Sequence, residues 1–302
     1  MATVVGSSTG AIDVKSTVDQ LIEVEMVKRI DPIDTKVAAK QTSLSAVSAL
    51  KTLSVSLQDS LDTFVTPGQF TGTDSEKLAS LTTAVQSFVA NYNALHAGLA
   101  KYGSVDLADS TRDTVAEVPL FGDPALAKIR QLMRDGYSAG FTYTNTYSDR
   151  VDKTTTINFT DLGVSRKTDG TLVFSKLKLT TSAATDTTAT GTYSRAQEGD
   201  PLVGAYAQPK LLDRFAAGAT SSLKSTLATA GAAIVGVFDL RTSQFNSQLY
   251  SLRNRRVAES AKIETERTRL LKTYASLNSL LANMSSTSNF LTAQLASLSK
   301  NN

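Results

Sequence analysis

Apolar residues recur at steps of three and four along most of this chain, the spacing that gathers them on one face of an α-helix. Over residues 13–30, Val14, Val18, Leu21 and Ile22 share a face with charges opposite, which predicts a first helix. Pro32 is expected to end or kink it, because proline lacks an N–H and crowds the preceding turn. Leu44, Val47, Leu50, Leu53, Leu57, Leu61 and Phe64 mark a second helix over 35–64. The segment "TPGQFTGTDS" (66–75), with its proline and glycines, breaks the pattern. Leu78, Leu81, Val85, Phe88, Val89, Tyr92 and Leu95 mark a third helix over 76–101. In "GDPALAKIRQLMRDG" Asp123 is an N-cap and Pro124 takes the first helical position, while Gly136 is expected to stop the helix.

The period then changes. Residues 141–193 are rich in Thr, Tyr, Val and Phe, and "TTTINF" and "TLVFS" alternate, as half-buried strands do. Asp169-Gly170 between two short runs predicts a β-hairpin. The polar stretch 179–201 is expected to be a mobile loop. Helices return over 210–230 and 237–298, the second with breaks allowed. Within it Leu270, Tyr274, Leu277, Leu281, Met284, Ser288, Leu291, Leu295 and Leu298 follow a 4-3 spacing throughout, a heptad seam.

As a straight helix, residues 270–298 span about 42 Å. Burial of the seam's large side chains is worth on the order of 10–20 kcal/mol as an upper bound. Such a seam needs a cover: the helix over 13–30, neighbouring copies of the chain, or the chain's own globular body. Ser285, Ser286, Thr287 and Ser288 are weak helix formers at its middle. They mark either a bending point or a plain turn between two shorter helices.

The expected fold is therefore mainly α with a small β portion. The N- and C-terminal helices pair as a coiled-coil-like stalk (1–42 with 262–302), and 43–261 forms a separate body of long helices and a β-hairpin region. The candidate contact residues of the seam are Leu21, Ile22, Leu277, Leu281, Met284, Leu291, Leu295 and Leu298.

Composition narrows the chemistry. A hydrophobic fraction of 41% supplies a core, and 302 residues suit about two domains. A net charge of +3 without long basic runs makes nucleic acid an unexpected partner. With no cysteine and one histidine, His96, thiolate chemistry is excluded, no zinc site is expected, and no cofactor is implied. No run reaches the ~18 apolar residues of a membrane span, so no membrane partner is expected. The start of the chain does not read as a secretory signal.

One enzyme-like motif is present: "GSSTG" (6–10) fits G-x-S-x-G, with Ser8 as nucleophile and His96 as the sole histidine base. A nucleophile elbow needs a strand before the motif, and five residues precede it, so a flexible lead is the expected reading. His96 is expected to be a surface or half-buried helix residue. "RNRR" (253–256) is read as a solvated helix face or as a surface for acids of a neighbouring copy.

Several segments carry a family likeness. The stretch 10–61 has Gly10 and Asp13 before the helix, Gln20-Leu21-Ile22 with Glu25, and Ser45-Ala46 followed by Leu50-Lys51. The ending "LNSLLANMSSTSNFLTAQLASL" places Met284, Ser286-Thr287-Ser288, Phe290-Leu291 and Gln294-Leu295 in order. With "AVQSFVANYNAL", "LFGDPALAKIRQLM" and "LGVSRKTDGTLVFS" between them, the chain resembles the flagellar filament cap family, also called hook-associated protein 2, over nearly its whole length.

The resemblance implies a stalk and a leg domain, self-assembly into a cap at the distal tip of the bacterial filament, and folding of flagellin beneath it. It implies no reaction and no cofactor. Flagellin, hook–filament junction proteins, further copies of the chain, and an export chaperone at the C-terminal helix are the implied partners. Export through the flagellar type III apparatus to the cell exterior, and a part in cell adhesion, belong to the same expectation. The alternative is another axial protein, flagellin or a hook–filament junction protein. One departure is visible: family members carry β-rich outer domains where this chain has only residues 66–75.

Overall fold

The computed structural model describes residues 13–66, 68–104, 118–145, 153–185, 190–193, 204–207, 211–216 and 221–300. Contacts divide the chain into two compact units, Met1–Gln41 with Asn246–Asn302, and Thr42–Phe245. The architecture is mainly α, with small antiparallel strand pairs.

Helix α1 (Val14–Arg29) starts at Asp13, whose carboxylate accepts from the Ser16 N–H. Only Ile30 separates it from α2 (Asp31–Val65). Pro32 thus falls in the first turn of α2, where its missing N–H has no helical partner to lose, so it opens a helix more than it breaks one. Helix α3 (Asp74–Gly103) carries a complete capping box between Thr73 and Glu76. Asp123 caps α4 (Pro124–Ala139), accepting from the Ala125 N–H at 2.9 Å.

Gly136 does not stop α4. It is buried inside the helix, which runs on to Ala139, and the chain turns instead at Gly140, with φ 62°. A Cβ at Gly140 would stand 2.4 Å from the Ile157 carbonyl oxygen, so the close approach of two backbones needs glycine there.

Strand β1 (Phe141–Asn145) lies between β2 (Lys153–Ile157) and β7 (Ser221–Ser225), with Phe141 opposite both Ile157 and Ser225. Strands β3 (Val164–Arg166) and β4 (Leu172–Phe174) form the expected hairpin. Its turn has Gly170 N–H on the Lys167 carbonyl and Lys167 N–H on that of Thr171, with Gly170 at φ 92°. Asp169 accepts from the Thr171 N–H and hydroxyl, which hold its carboxyl below the usual range. Strands β5 (Thr190–Tyr193) and β6 (Gly204–Ala207) pair separately.

Three expectations are corrected here. The stretch read as strand and mobile loop contains a helix, α5 (Lys176–Thr185), and then β5. The helix expected over 210–230 is instead α6 (Leu211–Phe215) followed by β7, because the ladder to β1 overrides local preference. From Thr226 to Lys300 a single helix, α7, runs unbroken.

The core of the second unit is aromatic. Phe64 of α2 lies 5.3 Å from Phe141 and 6.0 Å from Phe215, and Phe88 of α3 stacks on Phe159 at 4.8 Å. Phe70, in the connection between α2 and α3, is buried against Phe64 and Phe215. Beside this cluster, Asn93 of α3 donates to the Leu172 carbonyl and accepts from its N–H, each at 2.8 Å, which fastens the hairpin to the helix.

Candidate interaction surface

In the first unit, Val18, Ile22, Ile30 and Ile263 form a buried cluster, edged by Val14, Leu270, Leu271 and Tyr274. Ion pairs rim it. Arg267 donates to Asp19 at 2.7 Å, Arg29 reaches Glu266 at 3.5 Å, and Arg256 reaches Asp34 at 2.6 Å. Partner numbers rise on α7 as they fall along 34, 29 and 19, so the paired segments run antiparallel. Asp19 also accepts from Lys15. Hydrogen bonds from Lys15 and then Arg267 hold its carboxyl below the ordinary range.

The seam is covered over part of its length only. Ile263 stands one heptad before Leu270, and Leu270 and Tyr274 edge the cluster made with α1. Ile22 is buried there, whereas Leu21 lies on the exposed side of α1. Past Tyr274 the residues do not belong to that cluster. Leu281 is half-buried, and exposure of the others runs from 40% at Leu277 through Met284 and Leu291 to 68% at Leu295. The side chain of Leu298 lies outside the described residues.

The helix passes through Ser285–Ser288 without a turn. Thr287 donates its hydroxyl to the Asn283 carbonyl and Thr292 to that of Ser288, which satisfies these groups inside the helix. No Asp, Glu, Lys or Arg occurs from 273 to 299. The open seam is therefore flanked only by small or uncharged residues. Ile263 and Ile30 were not among the residues singled out from sequence. Extending the 4-3 spacing back by one heptad from Leu270 reaches Ile263.

The catalytic alternative gains no geometry. Ser8 lies outside the described residues. His96 is half-buried on α3 and faces the β3–β4 turn, where a Cβ at Gly170 would stand 2.8 Å from its Nε2. A cavity of about 430 Å³ between α2 and α3 is lined by Ser60, Thr63, Thr83 and Phe70 among others. Its hydroxyls at 60, 63 and 83 already donate to carbonyls of their own helices. Among the described residues no group of three or more His, Cys, Asp or Glu is arranged to hold a metal, and no helix is long and apolar enough to cross a membrane.

The family model for the C-terminus of flagellar hook-associated protein 2 matches residues 50–286. No curated protein and no solved structure matches the chain.

Proposed function

This chain belongs to the flagellar hook-associated protein 2 family of structural flagellar proteins, and on that premise we propose that it caps the distal end of the flagellar filament as an assembly of several copies. The unit built from both ends of the chain is the stalk, and Thr42–Phe245 is the leg. The cap retains exported flagellin at the filament tip, where it folds and inserts. Hook–filament junction proteins are met earlier in assembly, and an export chaperone covers the C-terminal helix before secretion. The protein works outside the cell and makes or breaks no bond.

The open seam carries this reading. Leu277, Leu281, Met284, Leu291 and Leu295 continue the stripe that α1 covers at Leu270 and Tyr274. A stripe of this length left in water forgoes about 1.5–3 kcal/mol per large side chain relative to full burial. Burial between copies recovers it and offsets the cost of ordering the helix. The absence of charge over 273–299 favours close helix–helix contact without desolvating ions.

The test is the double substitution Leu281→Ser with Leu291→Ser, followed by sedimentation and by thermal melting. The expected result is loss of higher-order assembly with the melting of the leg retained. Assembly equal to that of the unsubstituted chain would sink this assignment of the seam.

A further inference from the structure

Two tyrosines of the second unit root their rings in its aromatic core. Tyr92 of α3 packs on Phe88, with ring centres 5.9 Å apart, and Tyr137 of α4 stacks on Phe159 at 5.3 Å. Their hydroxyls are poorly used. Tyr92 is 2% exposed, and among the described residues its hydroxyl has no hydrogen-bond partner, which a buried polar group seldom lacks. The Tyr137 hydroxyl reaches the Val164 carbonyl at 3.4 Å, longer than an ordinary O–H···O bond.

The charges around these hydroxyls are cationic. Burial pushes the Tyr92 phenol up; Arg166 opposes that push, Tyr137 adds to it, and Arg134 opposes it again. Arg166 likewise opposes the rise that burial gives Tyr137. Among the described residues no carboxylate bears on either hydroxyl. Arg134 and Arg166 are exposed, and among the described residues neither makes an ion pair. Asp135 follows Arg134 in the chain but lies roughly 160° around α4 from Tyr137. His96 follows Tyr92 by one turn of α3. Its Nε2 and the Arg166 Nη2 stand 2.8 and 3.5 Å from the one point that a Cβ on Gly170 would fill. The hairpin brings Arg166 here: Asn93 fixes the Leu172 backbone, and Arg166 is paired with Leu172 across the β3–β4 ladder.

We propose that the ground between Arg134, Arg166 and the two tyrosine hydroxyls binds a carboxylate. The site lies within the second unit and does not depend on the cap reading. A guanidinium presents a planar fork of donors that matches the two oxygens of a carboxylate. A phenol hydroxyl whose ring is already packed adds a donor with little further ordering cost on binding. Lys167 and His96 both act on the Asp169 carboxylate, so the unanswered charge of the site is that of the two arginines. Asp169 also disfavours a doubly charged group such as phosphate, through like-charge repulsion. A free carboxylic acid and an acidic side chain on a protein present the same group, and the test separates them.

The full chain is labelled with fluorotyrosine, and the fluorine resonances of Tyr92 and Tyr137 are assigned from Tyr92→Phe and Tyr137→Phe. Sodium acetate, a blocked Glu-Gly-Glu peptide and sodium chloride are then titrated at equal ionic strength. Saturable shifts of both resonances with acetate or with the peptide, and none with chloride, are the expected result. Arg134→Gln and Arg166→Gln are each expected to weaken binding about tenfold. Both variants are expected to melt as the unsubstituted chain does, since the two side chains are exposed and unpaired. Tighter binding of the peptide than of acetate supports the site with a protein as the source of the carboxylate, and equal binding supports it with a free acid. Absence of shifts with both carboxylates, equal shifts with chloride, or undiminished binding in Arg166→Gln would overturn the proposal.

Discussion

Arg267 donates a hydrogen bond to Asp19 across 2.7 Å, joining residues 248 positions apart and tying the N-terminal helix to the C-terminal one. Lys15 contributes from the same helix as Asp19, and together they hold the Asp19 carboxyl below its ordinary value of 3.8. A carboxyl depressed in the folded state stabilises it above that ordinary value, and the contribution is lost as pH falls through the folded value. Hydrogen-exchange protection of residues 14–29, corrected for intrinsic rates, is expected to drop as pH falls below about 4. In Asp19→Asn the drop is expected to flatten. Unchanged pH dependence in that variant would assign the effect to other carboxylates.

The buried and open parts of the α7 stripe are expected to respond differently in the monomer. Ile263 is buried among Val18, Ile22 and Ile30, so Ile263→Ala removes packed atoms and costs about 2–4 kcal/mol. Faster exchange throughout α1 is the expected readout. Leu277→Ala, at a 40% exposed position, is expected to change monomer stability by less than about 1 kcal/mol. Equal effects of the two substitutions would contradict the partial cover of the seam.

Asn93 supplies both a donor and an acceptor to the backbone of Leu172. Asn93→Ala leaves two backbone groups of a buried residue unpaired, a loss of about 2–3 kcal/mol in denaturant unfolding. Asn93→Asp keeps the acceptor but sets a carboxylate beside the Leu172 carbonyl, so it is not expected to restore stability. A full rescue by aspartate would show that the N–H contact alone matters.

Two glycines separate conformational cost from steric cost. Gly68 has φ 79° and open space around its missing Cβ, so Gly68→Ala is expected to cost only the roughly 1–2 kcal/mol of a left-handed residue. Gly140 has φ 62° and a carbonyl oxygen 2.4 Å from the missing Cβ, so Gly140→Ala adds displacement of β2 to the same conformational term. Melting temperatures of the two variants are expected to fall in that order, with Gly140→Ala the lower.

Signals confined to a few residues were legible in the sequence: the Asp123-Pro124 start, the Asp169-Gly170 hairpin and the stripe of α3 each depend on neighbours within one or two turns. What was not legible depends on distant partners. Ser221–Ser225 is a strand because β1 pairs with it, and Gly140 ends α4 because Ile157 approaches there, although Gly136 offers the same local signal. For the candidate site, the heptad seam could be read from spacing alone. Where its cover ends could not, because Leu270 and Leu277 have the same chemistry. The register of α1 on α7 is set by Asp19, Arg29 and their partners, far apart in the chain.

A place at the filament tip is tested by immunogold electron microscopy of native filaments with antibody against this chain. Label confined to the distal tip is the expected result. Label along the filament, or at its junction with the hook, would rule out a cap and assign the chain to another axial role.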